Sequence, residues 1–261
     1  MRGDCLVKMH SIADGSVDLI LCDLPYGTTE CRWDSVIPFQ PLWEHYWRVL
    51  KRTGAVVLFG SEPFSTQLRM SQIRRFKYDW IWEKTKVSGF MLAKRSPLRC
   101  YEVISVFSRT SLASNHGVAG TYNPQGVTLT NKHVDYSGFR EQLGQRNARS
   151  YQQQATNYPK NLLKFANEAN TVHPTQKPVP LLEYLIKTYT NEGETVLDNC
   201  MGSGSTGVAC AYTKRCFIGI ERKKKYFRIA QDRIECAKNG TLPRQETETE
   251  KQMKPLFGRT P

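Results

Sequence analysis

Apolar and polar positions follow one another along the chain in an alternating strand and helix order. Short unbroken apolar runs predict buried parallel strands, and these runs occupy 16–22, 55–59, 78–82, 101–107, 195–198 and 216–221. Apolar residues spaced three or four apart predict amphipathic helices, at 41–52, 61–73, 178–190, 206–214 and 224–237. This alternation predicts an α/β fold with a doubly wound, mostly parallel sheet. Ser61 is the expected cap of the second helix.

One segment departs from this pattern. Residues 110–161 are rich in Asn and Gln, poor in aliphatic side chains, and show no long helical period. The sequence therefore predicts one domain in two halves, 1–109 and 171–238, with an inserted segment at 110–170. The remaining 239–261 are polar with little to bury, which predicts a loose tail.

Composition and charge narrow the function classes. A chain of 261 residues suits one large α/β domain with an insertion. Its net charge of +13 favours a polyanionic partner, most simply nucleic acid, although a basic protein without such a partner stays open. Between 69 and 99 two acids oppose nine basic residues, a density that can line a phosphate track. The nine are Arg69, Arg74, Arg75, Lys77, Lys84, Lys86, Lys94, Arg95 and Arg99.

Cysteine usage and apolar run lengths indicate the compartment. The eight cysteines form no C-x-x-C pair and no Cys/His spacing suited to zinc, so no metal site is predicted. Most lie in or beside apolar runs, which favours reduced core thiols and a reducing cytoplasm. The first residues lack the apolar run of a signal peptide, and no stretch approaches the roughly 18 apolar residues of a membrane span. We expect a cytoplasmic protein with no membrane segment.

Two strands end in loops that carry a carboxylate, where ligands of open parallel sheets bind. The first loop is Asp23-Leu24-Pro25-Tyr26. An exocyclic amino group has two N–H donors, which the Asp23 carboxylate and the Leu24 carbonyl could accept while Tyr26 stacks on the ring. A base ring held in this way must leave its duplex. The alternative is a plain Asp-x-Pro turn.

The second loop, Gly202–Gly207, fits G-x-G-x-x-G between a strand and a helix. Glu221 ends the next strand, where an acid can accept both ribose hydroxyls of an adenosine. The loop alone fits a dinucleotide and S-adenosylmethionine equally well, and a tight turn without a ligand is also open. Asp198 favours S-adenosylmethionine, because a carboxylate suits the methionine ammonium and would repel a pyrophosphate.

Four motifs together resemble those of the amino-methylating DNA methyltransferases, which act on adenine-N6 or cytosine-N4. Asp23–Tyr26 is similar to the catalytic motif, and 198–207 is similar to the cofactor motif. His173-Pro174-Thr175-Gln176-Lys177-Pro178 resembles the segment that helps close the cofactor pocket, and 101–107 resembles a strand of the catalytic half. Their order is that of the family's beta class, and the resemblance covers about residues 3 to 235.

The resemblance implies roles for individual residues. The target base would be held by Asp23, Leu24, Pro25 and Tyr26. The S-adenosylmethionine pocket would be formed by Asp4, Cys5, Asp23, Thr175, Lys177, Asp198, Cys200, Gly202, Ser203, Gly204 and Glu221. Leu24 stands where the usual motif has proline; its carbonyl acceptor survives, although leucine is less rigid in φ. By family analogy, Asp rather than Ser at position 23 favours adenine over cytosine.

The inserted segment 110–170 is the expected target-recognition region. Asn, Gln and Arg pair bidentately with base edges, and the expected DNA-binding residues are Lys132, Arg140, Arg146 and Arg149. A disordered polar loop is the alternative.

The function implied by the resemblance is a site-specific, S-adenosylmethionine-dependent adenine-N6 methyltransferase acting on double-stranded DNA. The family often forms dimers, which favours a homodimer. A cytosine-N4 methyltransferase, an RNA substrate, an NAD-dependent oxidoreductase and a non-enzymatic DNA-binding module remain alternatives. The oxidoreductase leaves Asp23–Tyr26 unexplained, and the binding module leaves two ligand loops unexplained.

Overall fold

The structure, a computed structural model, describes residues 1–27, 34–109, 120–140, 145–168 and 176–242, with the backbone alone for 135–140 and 145–149. The helices are α1 (Cys5–Met9), α2 (Phe39–Val49), α3 (Phe64–Ser71), α4 (Val179–Tyr189), α5 (Ser205–Thr213) and α6 (Lys224–Lys238). The strands are β1 (Val17–Cys22), β2 (Leu50–Gly60), β3 (Phe76–Ser88), β4 (Arg99–Ser108), β5 (Thr128–Arg140), β6 (Gln145–Thr156), β7 (Leu162–Lys164), β8 (Thr195–Asp198) and β9 (Cys216–Gly219).

Seven strands of the described chain form one sheet in the order β7-β3-β4-β2-β1-β8-β9. β4 runs antiparallel to both of its neighbours, and every other adjacent pair is parallel. The sheet therefore has a single reversed strand, and the predicted mostly parallel α/β architecture is confirmed.

The sheet is covered on both faces because its strands are apolar on both faces. In β2, Val57 and Phe59 belong to the core shared with α4 and α5, whereas Val56 and Leu58 belong to the core shared with α2 and α3. Successive side chains of a strand point to opposite faces, so one continuous apolar run supplies both cores. The doubly wound prediction is confirmed by this division.

Local details differ from the sequence prediction at three places. Ser61 does not cap α3: Pro63 occupies the N-cap position, and the Glu62 carboxylate accepts a hydrogen bond from Thr66 N at 3.0 Å. A glutamate just before the helix can reach forward to a free N–H of the first turn, as a shorter capping side chain does. The short elements α1 and β7 were not predicted, because five and three residues are too few to show a period.

Pro124–Lys160 forms a compact unit of its own within the described chain. Its strands β5 and β6 pair antiparallel from Thr128↔Thr156 to Arg140↔Gln145. The sequence predicted no long helix here, and none lies in the described part of this unit, but the hairpin itself was not predicted. Of the expected tail, 243–261 lie outside the described residues.

No helix in the described ranges is long and apolar enough to cross a membrane.

At the opposite edge of the sheet from the strand-end loops, Asp18 fixes the start of β1. Its carboxylate is 6% exposed and accepts hydrogen bonds from Lys51 Nζ at 2.9 Å and from the Thr195 backbone N–H at 3.0 Å. One buried carboxylate therefore ties together the starts of β1, β2 and β8.

We expect Asp18→Ala to lower the free energy of unfolding by about 1–3 kcal/mol, because it leaves a part-buried backbone N–H of β8 without its acceptor. Urea denaturation followed by circular dichroism measures the change. The control is Asp14→Ala, which removes an exposed carboxylate paired with Arg48 and should cost under about 1 kcal/mol. Equal losses in the two variants would contradict the role assigned to Asp18.

Candidate active site

The two predicted ligand loops emerge side by side from the sheet. β1 and β8 are adjacent and parallel, with Leu19 opposite Val196 and Ile20 opposite Leu197. The loops that follow Cys22 and Asp198 therefore leave the same edge. Residues of both loops line a cavity of about 890 Å³, which lies in the size range of small-molecule and cofactor pockets.

The Asp23 carboxylate is held from two sides at the cavity wall. The Tyr26 hydroxyl donates to Asp23 Oδ1 at 2.5 Å, and Lys177 Nζ donates to Asp23 Oδ2 at 2.7 Å. Lys177 Nζ also lies 3.1 Å from Glu102 Oε2, and Lys84 Nζ lies 3.3 Å from Glu102 Oε1. These four charges alternate in sign, and we call the group Asp23, Lys177, Glu102 and Lys84 the charge cluster.

Burial and neighbouring charge compete within the charge cluster. Burial raises the pKa of Asp23, Lys177 opposes that rise, and Glu102 adds to it. Burial alone would lower the pKa of the Lys177 ammonium, but the carboxylates of Asp23 and Glu102 more than offset this and raise it. Burial would raise the pKa of Glu102, yet its two lysine neighbours hold it below the ordinary value. Lys177 therefore stays charged, and Asp23 keeps a raised proton affinity.

The rest of the loop after β1 is fixed by packing and by one side-chain acceptor. Leu24 is 4% exposed and belongs to the apolar core beneath the loop. A buried leucine holds the loop through packing where the family motif has a rigid proline. Pro25 and Tyr26 line the cavity, and Gly27 N donates to Asp34 Oδ1 at 2.9 Å, which closes the loop's far end.

The glycine loop has the backbone geometry that its sequence predicted. Gly202 and Gly204 have φ values of +51° and +82°, which favour glycine. A Cβ on Gly204 would lie 2.8 Å from the Ala230 side chain, so this glycine lets the loop pack on α6. A Cβ on Gly202 would meet no atom within 4 Å, and Gly202 lines the cavity. A ligand can therefore approach the backbone closely at Gly202.

Glu221 binds the glycine loop at the end of β9. Its carboxylate accepts from Gly202 N at 3.1 Å and from Lys223 N at 2.7 Å. Burial raises the pKa of Glu221, and these backbone donors oppose the rise. The Glu221 side chain lines the cavity, where each oxygen retains a second acceptor site for a ligand hydroxyl.

Asp198 is the last residue of β8, at the start of the glycine loop. It is 4% exposed and is not among the residues that line the cavity. Its carboxylate accepts from Thr206 Oγ1 at 2.6 Å and from Cys200 N at 3.0 Å, so it holds the turn between β8 and α5. Burial raises the pKa of Asp198 to about 6.

The other predicted cofactor residues divide into three groups. Those that line the cavity are Asp4, Cys5, Asp23, Lys177, Cys200, Gly202, Ser203 and Glu221. Gly204 is buried beneath the loop against α6, and Asp4 also caps α1 by accepting from Leu6 N at 3.0 Å. Thr175 lies outside the described residues.

The four predicted DNA-binding residues all lie on the hairpin of β5 and β6. Lys132 is exposed on β5, and Arg140 ends that strand. Arg146 stands opposite Phe139, and Arg149 stands opposite Tyr136. The structure therefore gathers these four positions on one two-stranded ribbon.

The sequence reasoning gave no site role to Glu102 or Arg233, and it placed Lys84 in the basic stretch that can line a phosphate track. Glu102 and Lys84 sit diagonally on neighbouring strands, since Trp82 pairs with Glu102 in the β3–β4 ladder. Cross-strand partners of this kind become visible only when the register is known. Arg233 of α6 donates to Ser203 O at 2.7 Å and supports the glycine loop from behind.

Comparison with known proteins shows which family and which solved structures this chain is similar to. The N6/N4 family of DNA methylases matches residues 17–232. The type II methyltransferase M.HpaI of Haemophilus parainfluenzae is 26% identical over 255 residues, covering 91% of this chain and 74% of that protein. The fold is similar to that of the cytosine-N4-specific PvuII DNA methyltransferase, with a TM-score of 0.65, 16% identity and 92% of each chain covered. It is also similar to M1.HpyAVI in complex with SAM, with a TM-score of 0.59, 24% identity, and 89% of this chain and 98% of that chain covered.

The family match covers both ligand loops and the strands that carry them. The structural likeness confirms the predicted fold of the methyltransferase type. The family match confirms S-adenosylmethionine as the predicted cofactor, and the cavity, the open face of Gly202 and the Glu221 carboxylate fit such a group. The resemblance found in the sequence is confirmed: this chain belongs to the N6/N4 family of DNA methylases.

Proposed function

We propose that this protein transfers the methyl group of S-adenosylmethionine to the exocyclic N6 of adenine in double-stranded DNA, with the target base held outside the helix. The observation that carries this proposal is the Asp23 carboxylate, oriented by Tyr26 and Lys177 beside the glycine loop of the same cavity. The aspartate at position 23 favours adenine over cytosine by analogy with the family.

The catalytic loop can accept both hydrogens of an amino group. Each carboxylate oxygen offers two acceptor sites, so Asp23 can accept one N–H in addition to its bonds from Tyr26 and Lys177. The Leu24 carbonyl can accept the other. With both N–H bonds held, the nitrogen lone pair is left free to attack, and the barrier falls mainly through alignment and polarisation.

Asp23 can also accept the proton that methylation releases. Once the amino nitrogen gains a methyl group, it is positively charged and must release one proton. The raised pKa of Asp23 makes this carboxylate a fitting proton acceptor, and the Lys177 ammonium beside it opposes that rise. Glu102 balances the charge of Lys177, so the site carries no excess positive charge to oppose a cationic nitrogen.

The residues around the glycine loop would bind and orient the cofactor. S-adenosylmethionine, when bound, provides a methyl group already activated on a sulfonium. Glu221 would hold the ribose hydroxyls, and the open face of Gly202 admits the ligand against the backbone. Asp198 keeps the loop in shape through Thr206 and Cys200, and we assign it that role in place of direct contact.

We also assign target recognition to the hairpin of β5 and β6. Polar and basic side chains on a two-stranded ribbon suit the major groove, which admits such a ribbon and shows a distinct donor and acceptor pattern for each base pair. The four basic residues predicted from the sequence lie on this ribbon.

The test of the function is a methyl-transfer assay with labelled S-adenosylmethionine and unmethylated genomic DNA, followed by nucleoside mass spectrometry. We expect N6-methyladenine. N4-methylcytosine would keep the mechanism and overturn the base assignment. Label in a parallel reaction with total RNA, with no label in the DNA reaction, would overturn the DNA substrate.

In the same assay, Asp23→Ala should lower kcat at least about 100-fold, because the amino acceptor and the proton acceptor are both lost. Cofactor affinity, measured by isothermal titration calorimetry, should stay near that of the wild type. Asp14→Ala, an exposed aspartate away from the cavity, is the matched control and should retain full activity. Wild-type turnover by Asp23→Ala would refute the catalytic assignment.

Removing the Lys177 cation should change the pH dependence of turnover. Lys177 opposes the rise in the pKa of Asp23, so Lys177→Gln should raise that pKa further and move the acid limb of the kcat profile to higher pH. Lys84→Gln should move it less, since Lys84 acts through Glu102. Lys164→Gln, which breaks an exposed pair with Glu83, is the control and should leave the profile in place. If the acid limb of the kcat profile does not shift in Lys177→Gln, the role assigned to the charge cluster is contradicted.

For the hairpin, the combined change of Arg140, Arg146 and Arg149 to Gln should weaken binding to duplex DNA and relax the choice of methylated sites. Sequencing of the methylated positions measures the second effect. Cofactor affinity should not change, because these residues belong to a separate compact unit. An unchanged site preference would refute target recognition by the hairpin.

A further inference from the structure

β3 and β4 continue into an exposed arm, residues 86–99, whose tip is apolar. Ser88 pairs with Arg99 at the root of the arm, and Gly89 turns the chain with a φ of +96°. The tip is a single 3-10 turn, Phe90–Leu92. Phe90 is 66% exposed, Met91 101% and Leu92 52%. Three large apolar side chains in a row at a projecting tip are costly in water, which indicates a contact surface.

The flanks of the arm are basic. Lys86, Lys94, Arg95 and Arg99 are exposed. The arm contains no acidic residue, and within the described chain these four cations form no ion pair. An apolar tip between unpaired cations suits a partner with an anionic exterior and an apolar interior.

The root of the arm belongs to the wall of the active-site cavity. Lys86, Val87 and Ser88 line the cavity together with Asp23. Asn167 fixes this root, since its Oδ1 accepts from Lys86 N at 3.0 Å and its backbone N donates to Thr85 Oγ1 at 3.1 Å. The root is therefore held in place while the tip projects.

We propose that the arm is a DNA wedge: its cations contact phosphates beside the target site, and Phe90 and Met91 enter the base stack in the space left by the base held in the cavity. The proposal rests on the proposed function, because it requires a base that leaves its stack. Apolar side chains inserted between base steps are an established way to hold distorted DNA, and the flanking cations supply the electrostatic attraction. A second protein copy would explain the apolar tip but not the cations around it.

The first experiment compares an intact mixed-sequence duplex with the same duplex carrying one abasic site, by fluorescence anisotropy. A wedge gains affinity from a gap that is already open, because no base need be unstacked. We expect the wild type to prefer the abasic duplex by about tenfold or more. Phe90→Ala/Met91→Ala should lose this preference and raise the KM for genomic DNA, with cofactor affinity unchanged.

The matched control is Met70→Ala/Ile73→Ala, which removes two similarly exposed apolar side chains at 65% and 56% exposure elsewhere on the surface. It should keep the abasic preference. Equal preference in the arm variant and the control would overturn the wedge.

A second experiment tests the cations through the salt dependence of duplex binding. Lys94→Gln/Arg95→Gln should reduce the slope of log affinity against log salt by about 2, close to 0.9 for each phosphate contact. Arg228→Gln/Lys238→Gln removes the same charge from exposed positions of α6 and should leave the slope near the wild-type value. An unchanged slope in the arm variant would overturn the phosphate contacts.

The outcomes separate the wedge from the proposed function. If the wild type methylates DNA and the arm variants bind and methylate as it does, the wedge is refuted and the function stands. If Phe90→Ala/Met91→Ala loses the wild type's abasic preference but the wild type methylates no DNA, insertion of the arm into DNA stands and the proposed function fails. If the apolar variant changes sedimentation behaviour and leaves DNA binding intact, the tip is an interface between copies and the wedge is overturned.

Discussion

Parallel pairing between β1 and β8 is the constraint on which the site depends. The two strands are far apart in the chain, yet Leu19 stands opposite Val196 and Ile20 opposite Leu197. Both strands are buried, and Asp18 locks their starts together through the Thr195 N–H. A one-residue slip would exchange the two faces of a buried strand and is strongly disfavoured. With the register set at one end, the loops at the other end must emerge together, and this places the Asp23 carboxylate beside the glycine loop.

The charge cluster adds a second constraint, because buried ionised groups persist only when they are paired. Lys177 is 8% exposed and contacts the carboxylate of Asp23, in the loop after β1, and that of Glu102 in β4. These partners come from distant parts of the chain, so the cluster forms only when the sheet and the segment before α4 are both in place. Its physical effect is to orient the Asp23 carboxylate and to limit the rise in its pKa that burial causes.

The sheet with its loops differs in packing from the arm at 86–99 and from the hairpin of β5 and β6. The sheet and its loops are packed from both faces, which suits groups that must be held within fractions of an ångström. The arm at 86–99, with basic flanks and an apolar tip, and the polar and basic hairpin of β5 and β6 are instead largely exposed where their side chains are described. The net charge of +13 favours contact of such basic surfaces with a polyanion.

The sequence alone determined the parallel α/β architecture, both ligand loops and the family, because strand runs, glycine spacing and strand-end carboxylates are local features. It also located Asp23, Glu221 and Lys177. Only the tertiary structure decided that Lys177 binds Asp23 and Glu102, that Asp198 supports its own turn, and that Arg233 supports Ser203. Such pairings depend on strand register and on helix packing between segments far apart in the chain. Local spacing therefore predicts which groups reach the cavity, while long-range packing decides which of them touch.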